Sequence, residues 1–160
     1  ADIGGIAMLQ NGRCSLHDAL EKLPIKDILP QIHESLDKHR NLVLQAQTGA
    51  GKTTIVPLEV LRHGCCQGRI LVLQPRRIAA IGVARRMAQL WGEPLGETVG
   101  YRIRHDSMCG PRTRIEVITE GILVRMLHVN RALTGVGCVF FDEFHERNLD
   151  SDMSFALSLC

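Results

Sequence analysis

The sequence is poor in aromatic residues and has no long apolar run, and these absences exclude some classes of protein. Phe, Trp and Tyr together make up 4% of the 160 residues. No apolar run approaches the roughly 18 residues that a membrane-spanning helix needs, so we expect no membrane partner. With 45% hydrophobic residues, the chain is too apolar for intrinsic disorder and long enough for one packed domain. The net charge of +2 does not by itself indicate a partner.

The six cysteines do not form the pattern of a disulfide framework or a zinc site. No C-x-x-C pair occurs, and Cys65 and Cys66 are adjacent. Cys138 lies within an apolar run, where we expect it to act as a small buried hydrophobe. Residues 1–22 lack the basic start and apolar stretch of a signal peptide. We therefore predict a reduced, intracellular protein, in the cytoplasm, without structural zinc.

Short apolar segments of strand length alternate with helical patterns from Leu23 onward. Residues 1–22 carry no clear pattern, so we treat them as a lead-in to one domain over 23–160. Continuous apolar strands separated by helices predict an α/β fold, in which helices cover both faces of a mostly parallel sheet. The predicted strands are 42–44, 70–73, 99–103, 115–118 and 138–141, and the predicted helices are 25–36, 52–63, 77–91 and 121–128.

The segment 46–54 follows a predicted strand and opens a predicted helix, which is the context that a phosphate-binding loop requires. Its glycines allow a tight turn that aims backbone N–H groups at phosphate oxygens, and the helix dipole favours the same anion. Lys52 can reach the β- and γ-phosphates, and the Thr53 hydroxyl can ligate Mg²⁺. The alternative is a Gly-rich turn before an ordinary helix, and the strand–loop–helix context disfavours it. One position departs from the generic motif, because Ala46 stands where that motif has Gly. The predicted nucleotide-binding residues are Thr48, Gly49, Ala50, Gly51, Lys52, Thr53 and Thr54.

A second motif places two carboxylates, Asp142 and Glu143, directly after the apolar strand that ends at Phe141. Ligands bind at the carboxyl edge of open α/β sheets, so both carboxylates should face the nucleotide. Asp142 would hold Mg²⁺ through water, and Glu143 would orient and deprotonate the attacking water. His145 follows this acidic pair at a fixed offset, and we expect it to couple the nucleotide site to the rest of the protein. The alternative is an ordinary solvated histidine in a loop. A phosphate loop with this acidic pair indicates a nucleoside triphosphatase.

The middle of the chain is rich in arginine, with eight arginines against three acidic residues between positions 76 and 114. Arg76 and Arg77 follow a predicted strand, so they should lie at the ligand edge of the sheet. Arginine forks suit phosphates, and a line of them suits a nucleic-acid backbone contacted without sequence readout. The low aromatic content disfavours base stacking as the basis of binding. For Arg112 and Arg114 we favour the alternative that they are ordinary solvated charges.

Taken together, these motifs resemble the first RecA-like domain of a superfamily 2 helicase of the DEAH/RHA type, an ATP-dependent RNA helicase. The segments 46–54, 74–80, 119–123 and 142–147 are similar to helicase motifs I, Ia, Ib and II, in that order. Phe144 departs from the usual Asp-Glu-Ala-His. With that variant, the chain looks closest to the HrpB-type branch of the family.

The resemblance implies ATP and Mg²⁺ as cofactors and a single-stranded RNA backbone as partner. It implies that Arg77, Arg104 and Thr119 contact the RNA sugar-phosphate backbone. We expect the same of Arg76 from its position at the ligand edge of the sheet. It also implies that Arg86, in the helix after motif Ia, lies near the ribose and adenine. In such helicases ATP closes two RecA-like domains around RNA, so a second domain is an expected partner.

Motif III and the second RecA-like domain are missing from the sequence. We therefore expect a chain truncated before the motif III strand, which alone folds marginally, binds nucleotide weakly and hydrolyses it very slowly. Two alternatives remain for the intact protein. It could be a P-loop nucleoside triphosphatase that translocates on DNA or remodels nucleoprotein without unwinding, or a catalytically silent nucleic-acid-binding module.

Overall fold

The structure is a computed structural model that describes residues 15–39, 41–44 and 51–142. Within these residues a five-stranded sheet is combined with α-helices and one 3₁₀ turn at Pro24–Ile28. The helices are α1 (Leu16–Lys22), α2 (Leu29–Lys38), α3 (Lys52–His63), α4 (Arg77–Trp91) and α5 (Glu120–Val129). The strands are β1 (Arg69–Gln74), β2 (Val99–Ile103), β3 (Asp106–Met108), β4 (Ile115–Thr119) and β5 (Val136–Phe141).

The sheet has the spatial order β3-β2-β4-β1-β5 and is mostly parallel. Strand β1 lies between β4 and β5 and runs parallel to both, and β2 runs parallel to β4. Only the short β3 is antiparallel, paired with β2, within the described residues. The predicted α/β class and mostly parallel sheet are therefore confirmed.

Each face of the sheet has its own apolar core, because alternate side chains of a strand point to opposite faces. On one face Ile70 and Val72 pack with residues of α2, α3 and α4. On the other face Leu71 and Leu73 pack with residues of α5. All four side chains are buried, which explains why β1 reads as a continuous apolar run rather than an alternating one.

Two long helices have the limits that the sequence predicts, and both end at a glycine in the left-handed region. The chain leaves α3 at Gly64, with φ of 79°, and leaves α4 at Gly92, with φ of 85°. A residue without Cβ takes this conformation without steric cost and so ends the helix. Helix α5 begins one residue earlier than predicted, at Glu120.

The prediction of a strand at 42–44 is wrong. Residues 41–44 form no strand, and the side chain of Val43 is 94% exposed. A strand exists only where a neighbour accepts its backbone hydrogen bonds. In the described part of the sheet, β5 is an edge strand that pairs with β1 alone. Residues 42–44 do not pair with its free edge or with any other described strand.

Three local elements of the structure differ from those predicted from the apolar pattern of the sequence. Strand β3 was not predicted, because its three residues are exposed and carry no apolar pattern. Helix α1 lies in the lead-in and begins at a capping box formed by Ser15 and Asp18; this Ser-x-x-Asp spacing was available in the sequence. The predicted helix 25–36 is split into the 3₁₀ turn and α2, with Pro30 in the first turn of α2.

The four described cysteines, Cys65, Cys66, Cys109 and Cys138, are free thiols. Cys138 is half-buried and packs against the core, as expected of a small hydrophobe. Burial raises the pKa of its thiol to about 12, so the reactive thiolate is scarce at neutral pH. None of the helices in the described part of the chain has the length and apolar character needed to cross a bilayer.

Candidate nucleotide and nucleic-acid site

The carboxyl ends of four parallel strands meet at one edge of the sheet, and the candidate residues follow these ends. Arg104 follows β2, Thr119 ends β4, Arg76 and Arg77 follow β1, and Asp142 follows β5. The sheet order places them along the edge in that sequence, from β2 to β5. Residues scattered over the chain are therefore collected along a single line.

Thr53 and Asp142 are in direct contact, although 89 positions separate them in the sequence. The Thr53 hydroxyl donates a hydrogen bond of 2.6 Å to Oδ2 of Asp142. Thr53 lies in the first turn of α3, and Asp142 is the first residue after β5. The fold thus brings together the two predicted Mg²⁺-binding side chains.

The turn into α3 requires glycine at position 51. Gly51 has a φ of 91°, and a Cβ placed there would lie 2.9 Å from both the Ile55 and Leu23 side chains. The carbonyl of Gly51 accepts the first hydrogen bond of the helix, from the N–H of Ile55 at 2.8 Å. Lys52 is the first residue of α3, where the helix dipole also favours an anion.

Gln74, which begins the segment similar to motif Ia but is not among the predicted site residues, is part of the same cluster. Its Nε2 donates a 2.8 Å hydrogen bond to Oδ2 of Asp142, the oxygen that also accepts from Thr53. Gln74 is the last residue of β1 and is 4% exposed. The available signal was its position, as the polar end of an apolar strand at the ligand edge.

The arginines of the middle region divide between the two ends of the sheet. Arg76, Arg77 and Arg104 are exposed beside the carboxyl edge. Arg112 and Arg114 precede β4, at the opposite end, where Arg112 pairs with Glu97 and Arg114 donates to the carbonyl of Gly68. Their separation from the carboxyl edge agrees with the expectation that Arg112 and Arg114 are ordinary charges.

Some predicted residues are not brought into this cluster. Arg86 lies in the tenth position of α4 and donates a hydrogen bond to Oε1 of Gln89 on the same helix. Its predicted place near the ribose and adenine stays a prediction. Five other predicted residues lie outside the described part of the chain, namely Thr48, Gly49, Ala50, Glu143 and His145.

A groove of about 520 Å³ runs beside α5, away from the Thr53–Asp142 contact. The residues that line it include Arg69, Arg102 and Arg125. Arg69 and Arg102 both pair with the carboxylate of Glu116, at 2.7 and 3.3 Å. Because these charges already neutralise one another in part, we do not include this groove in the site.

The donor set at the carboxyl edge fits Mg²⁺. Thr53 and Asp142 offer a hydroxyl and a carboxylate, and Mg²⁺ usually binds through one or two such oxygens together with waters and phosphates. No group of three or more His, Cys, Asp or Glu side chains suited to a metal occurs in the described ranges. An ion held by Thr53 and Asp142 would complete its shell with waters and phosphate oxygens.

An α/β domain in which a Gly-Lys-Thr helix start meets the Asp that directly follows a nearby strand belongs to the P-loop class of nucleoside triphosphate-binding domains. The chain itself belongs to the DEAD/DEAH box helicase family, whose sequence profile matches residues 26–156. This membership confirms the family that the motifs resemble.

Similar proteins point to one branch of this family. The chain is 48% identical over 140 residues to the ATP-dependent RNA helicase HrpB of Escherichia coli, covering 88% of the chain and 17% of HrpB. It is 34% identical to the ATP-dependent RNA helicase DHX33 of Drosophila melanogaster, covering 94% of the chain and 22% of DHX33. A crystal structure of the E. coli DEAH/RHA helicase HrpB superimposes with a TM-score of 0.83 over 86% of this chain and 18% of that one.

These comparisons confirm the HrpB-type branch and the RecA-like fold. The chain spans only about a fifth of the length of these relatives.

Proposed function

We propose that the chain is the ATP-binding lobe of an ATP-dependent RNA helicase, which uses ATP hydrolysis to translocate on or unwind RNA. The observation that carries the proposal is the 2.6 Å contact between Thr53 and Asp142. It joins the two halves of a phosphate and metal site, which lie 89 positions apart in the sequence.

In this proposal the nucleotide phosphates are bound by the N-terminus of α3, by Lys52 and Thr54, and by the loop residues 48–51. Mg²⁺, when bound by Thr53 and Asp142, neutralises charge that develops on the phosphate oxygens. Glu143 orients and deprotonates the attacking water, and His145 couples the nucleotide to the rest of the protein. A second RecA-like domain would complete the site.

The RNA partner is proposed on the arrangement of Arg76, Arg77, Arg104 and Thr119 along the carboxyl edge. Guanidinium and hydroxyl donors suit phosphate oxygens and carry no base readout. The proposed location is intracellular and cytoplasmic, supported by the free thiols of the four described cysteines. The runner-up is a motor of the same class that translocates on DNA or remodels nucleoprotein.

Comparing single-stranded RNA with single-stranded DNA separates these two functions. In the intact protein we expect RNA to stimulate ATP hydrolysis at least tenfold more than DNA of equal length and base order. The Lys52→Ala variant should lose turnover with both polymers, because the lysine contacts the transferred phosphate. Lys22→Ala, on an exposed face of α1, is the matched control and should behave as wild type. Equal stimulation by RNA and DNA would favour the runner-up.

Single substitutions at the carboxyl edge should weaken RNA binding through lost phosphate contacts. For Arg77→Ala and for Arg104→Ala we expect the slope of log affinity against log salt to fall by about 0.7, the contribution of one phosphate on a single strand. Arg112→Ala, at the opposite end of the sheet, should leave the slope unchanged. The measurement is RNA binding by fluorescence anisotropy at several salt concentrations. The same slope change in all three variants would contradict the proposed RNA path.

A further inference from the structure

Gln74 has no role in the function proposed above, yet it contacts the centre of the site. Its amide is buried at the end of β1 and donates to Oδ2 of Asp142 at 2.8 Å. The nitrogen, rather than the oxygen, must be the contacting atom, because an ionised carboxylate only accepts hydrogen bonds. The contact is therefore a charge-assisted hydrogen bond.

The position of Gln74 does not require a polar residue for packing. The four residues before it, Ile70, Leu71, Val72 and Leu73, are apolar and buried. A buried amide is costly unless it is hydrogen-bonded, and an apolar side chain of the same length would fill the space without that cost. The amide at the end of β1 is thus explained by its hydrogen bond to Asp142.

Both hydrogen bonds to Asp142, from Gln74 and from Thr53, end on the same oxygen, Oδ2. Neither donor therefore competes for Oδ1. Two donors from different elements, α3 and β1, also restrict rotation of the carboxylate more than one donor does. Of the two donors, only Thr53 is itself a candidate metal ligand, so Gln74 would act on the ion only through Asp142.

We propose that Gln74 is a positioning residue, which holds the Asp142 carboxylate in one orientation so that it accepts Mg²⁺ or its bound water without rearrangement. This inference rests on the proposed function, since it concerns the same nucleotide site. Groups that orient metal ligands in this way typically contribute 10- to 100-fold to metal affinity. The contact explains why a glutamine ends a strand of buried apolar residues.

The test is the Mg²⁺ dependence of nucleotide binding in the intact protein, measured with a fluorescent, non-hydrolysable ATP analogue. The variant is Gln74→Met, which keeps the length of the side chain and removes the donor. In EDTA we expect it to bind the analogue with an affinity within about twofold of wild type. We expect the Mg²⁺ concentration that gives half of the Mg²⁺-dependent gain in affinity to be roughly 10-fold higher than in wild type. Gln67→Leu, an exposed glutamine before β1, is the control and should match wild type in both conditions.

Other outcomes would overturn the inference. An unchanged Mg²⁺ midpoint in Gln74→Met would show that the contact does not position Asp142, and an equal loss of affinity with and without Mg²⁺ would show a merely structural role. If Gln74→Met does not fold, Gln74→Asn, whose amide is one methylene too short to reach, carries the same expectations. A failure of the proposed function is distinguishable, because wild type and Gln67→Leu would then also bind no analogue.

Discussion

Replacing Asp142 with alanine in the intact protein should lower ATP turnover roughly 10³-fold, which corresponds to several kcal/mol of lost transition-state stabilisation. The carboxylate is held by two donors at the metal-binding edge, so its removal leaves Thr53 as the one described side chain at the proposed ion. Affinity for ATP in EDTA should not fall, because the substitution removes a negative charge near the phosphates.

Steady-state hydrolysis and nucleotide binding with and without Mg²⁺ together check this expectation. Asp27→Ala, an exposed aspartate of the 3₁₀ turn, is the matched control and should retain wild-type turnover. Turnover by Asp142→Ala within tenfold of wild type would contradict the metal-binding role of this residue.

The second large effect concerns stability and the buried carboxylate of Glu116. Glu116 is on β4 with a side chain only 3% exposed, and it pairs with Arg69 of β1 and Arg102 of β2. Changing both arginines to alanine leaves a buried carboxylate without its cations, which should cost about 3 kcal/mol in the free energy of unfolding. For the unfolding of a domain of about 150–250 residues, a loss of this size corresponds to a fall in Tm of roughly 6–12 °C.

A triple variant separates the cost of the uncompensated charge from the loss of arginine packing. Adding Glu116→Leu to the Arg69→Ala and Arg102→Ala changes should recover much of the lost stability, because an apolar side chain has no charge to desolvate. The control pair, Arg85→Ala with Arg112→Ala, removes two exposed arginines and should change stability by no more than about 1 kcal/mol. Thermal unfolding measures all three, and a double variant as stable as wild type would show that Glu116 needs neither partner.

Most of the fold could be predicted because its strands are buried on both faces. Continuous apolar runs identified β1, β4 and β5, and left-handed glycines at 64 and 92 marked the helix ends. The segment 42–44 has the same apolar signal, but local sequence does not encode whether a partner strand is available. Strand β3 is the reverse case, a strand that exists but was not predicted. Its exposed residues have no apolar pattern, and the strand is held by its pairing with β2.

The candidate site was predictable where a motif carries its chemistry in adjacent residues. Lys52, Thr53 and Asp142 were found from local patterns, and the contact between the last two followed from the rule that ligands meet at the carboxyl edge. Gln74 was not predicted as a site residue, because its contact with Asp142 depends on β1 and β5 being neighbours in the sheet. The sequence alone does not show that pairing. Arg76, Arg77, Arg104 and Thr119 were predicted as a set, and their order along the edge emerged only from the sheet topology.

The most direct test of the nucleotide site is a crystal structure of the intact protein with Mg²⁺ and a non-hydrolysable ATP analogue. We expect the β- and γ-phosphates at the N-terminus of α3 beside Lys52, with an ion about 2.1 Å from the Thr53 hydroxyl oxygen and linked to Asp142 through water. Nucleotide bound in the arginine-lined groove beside α5, or phosphates at α3 with no ion near Thr53 and Asp142, would contradict this account.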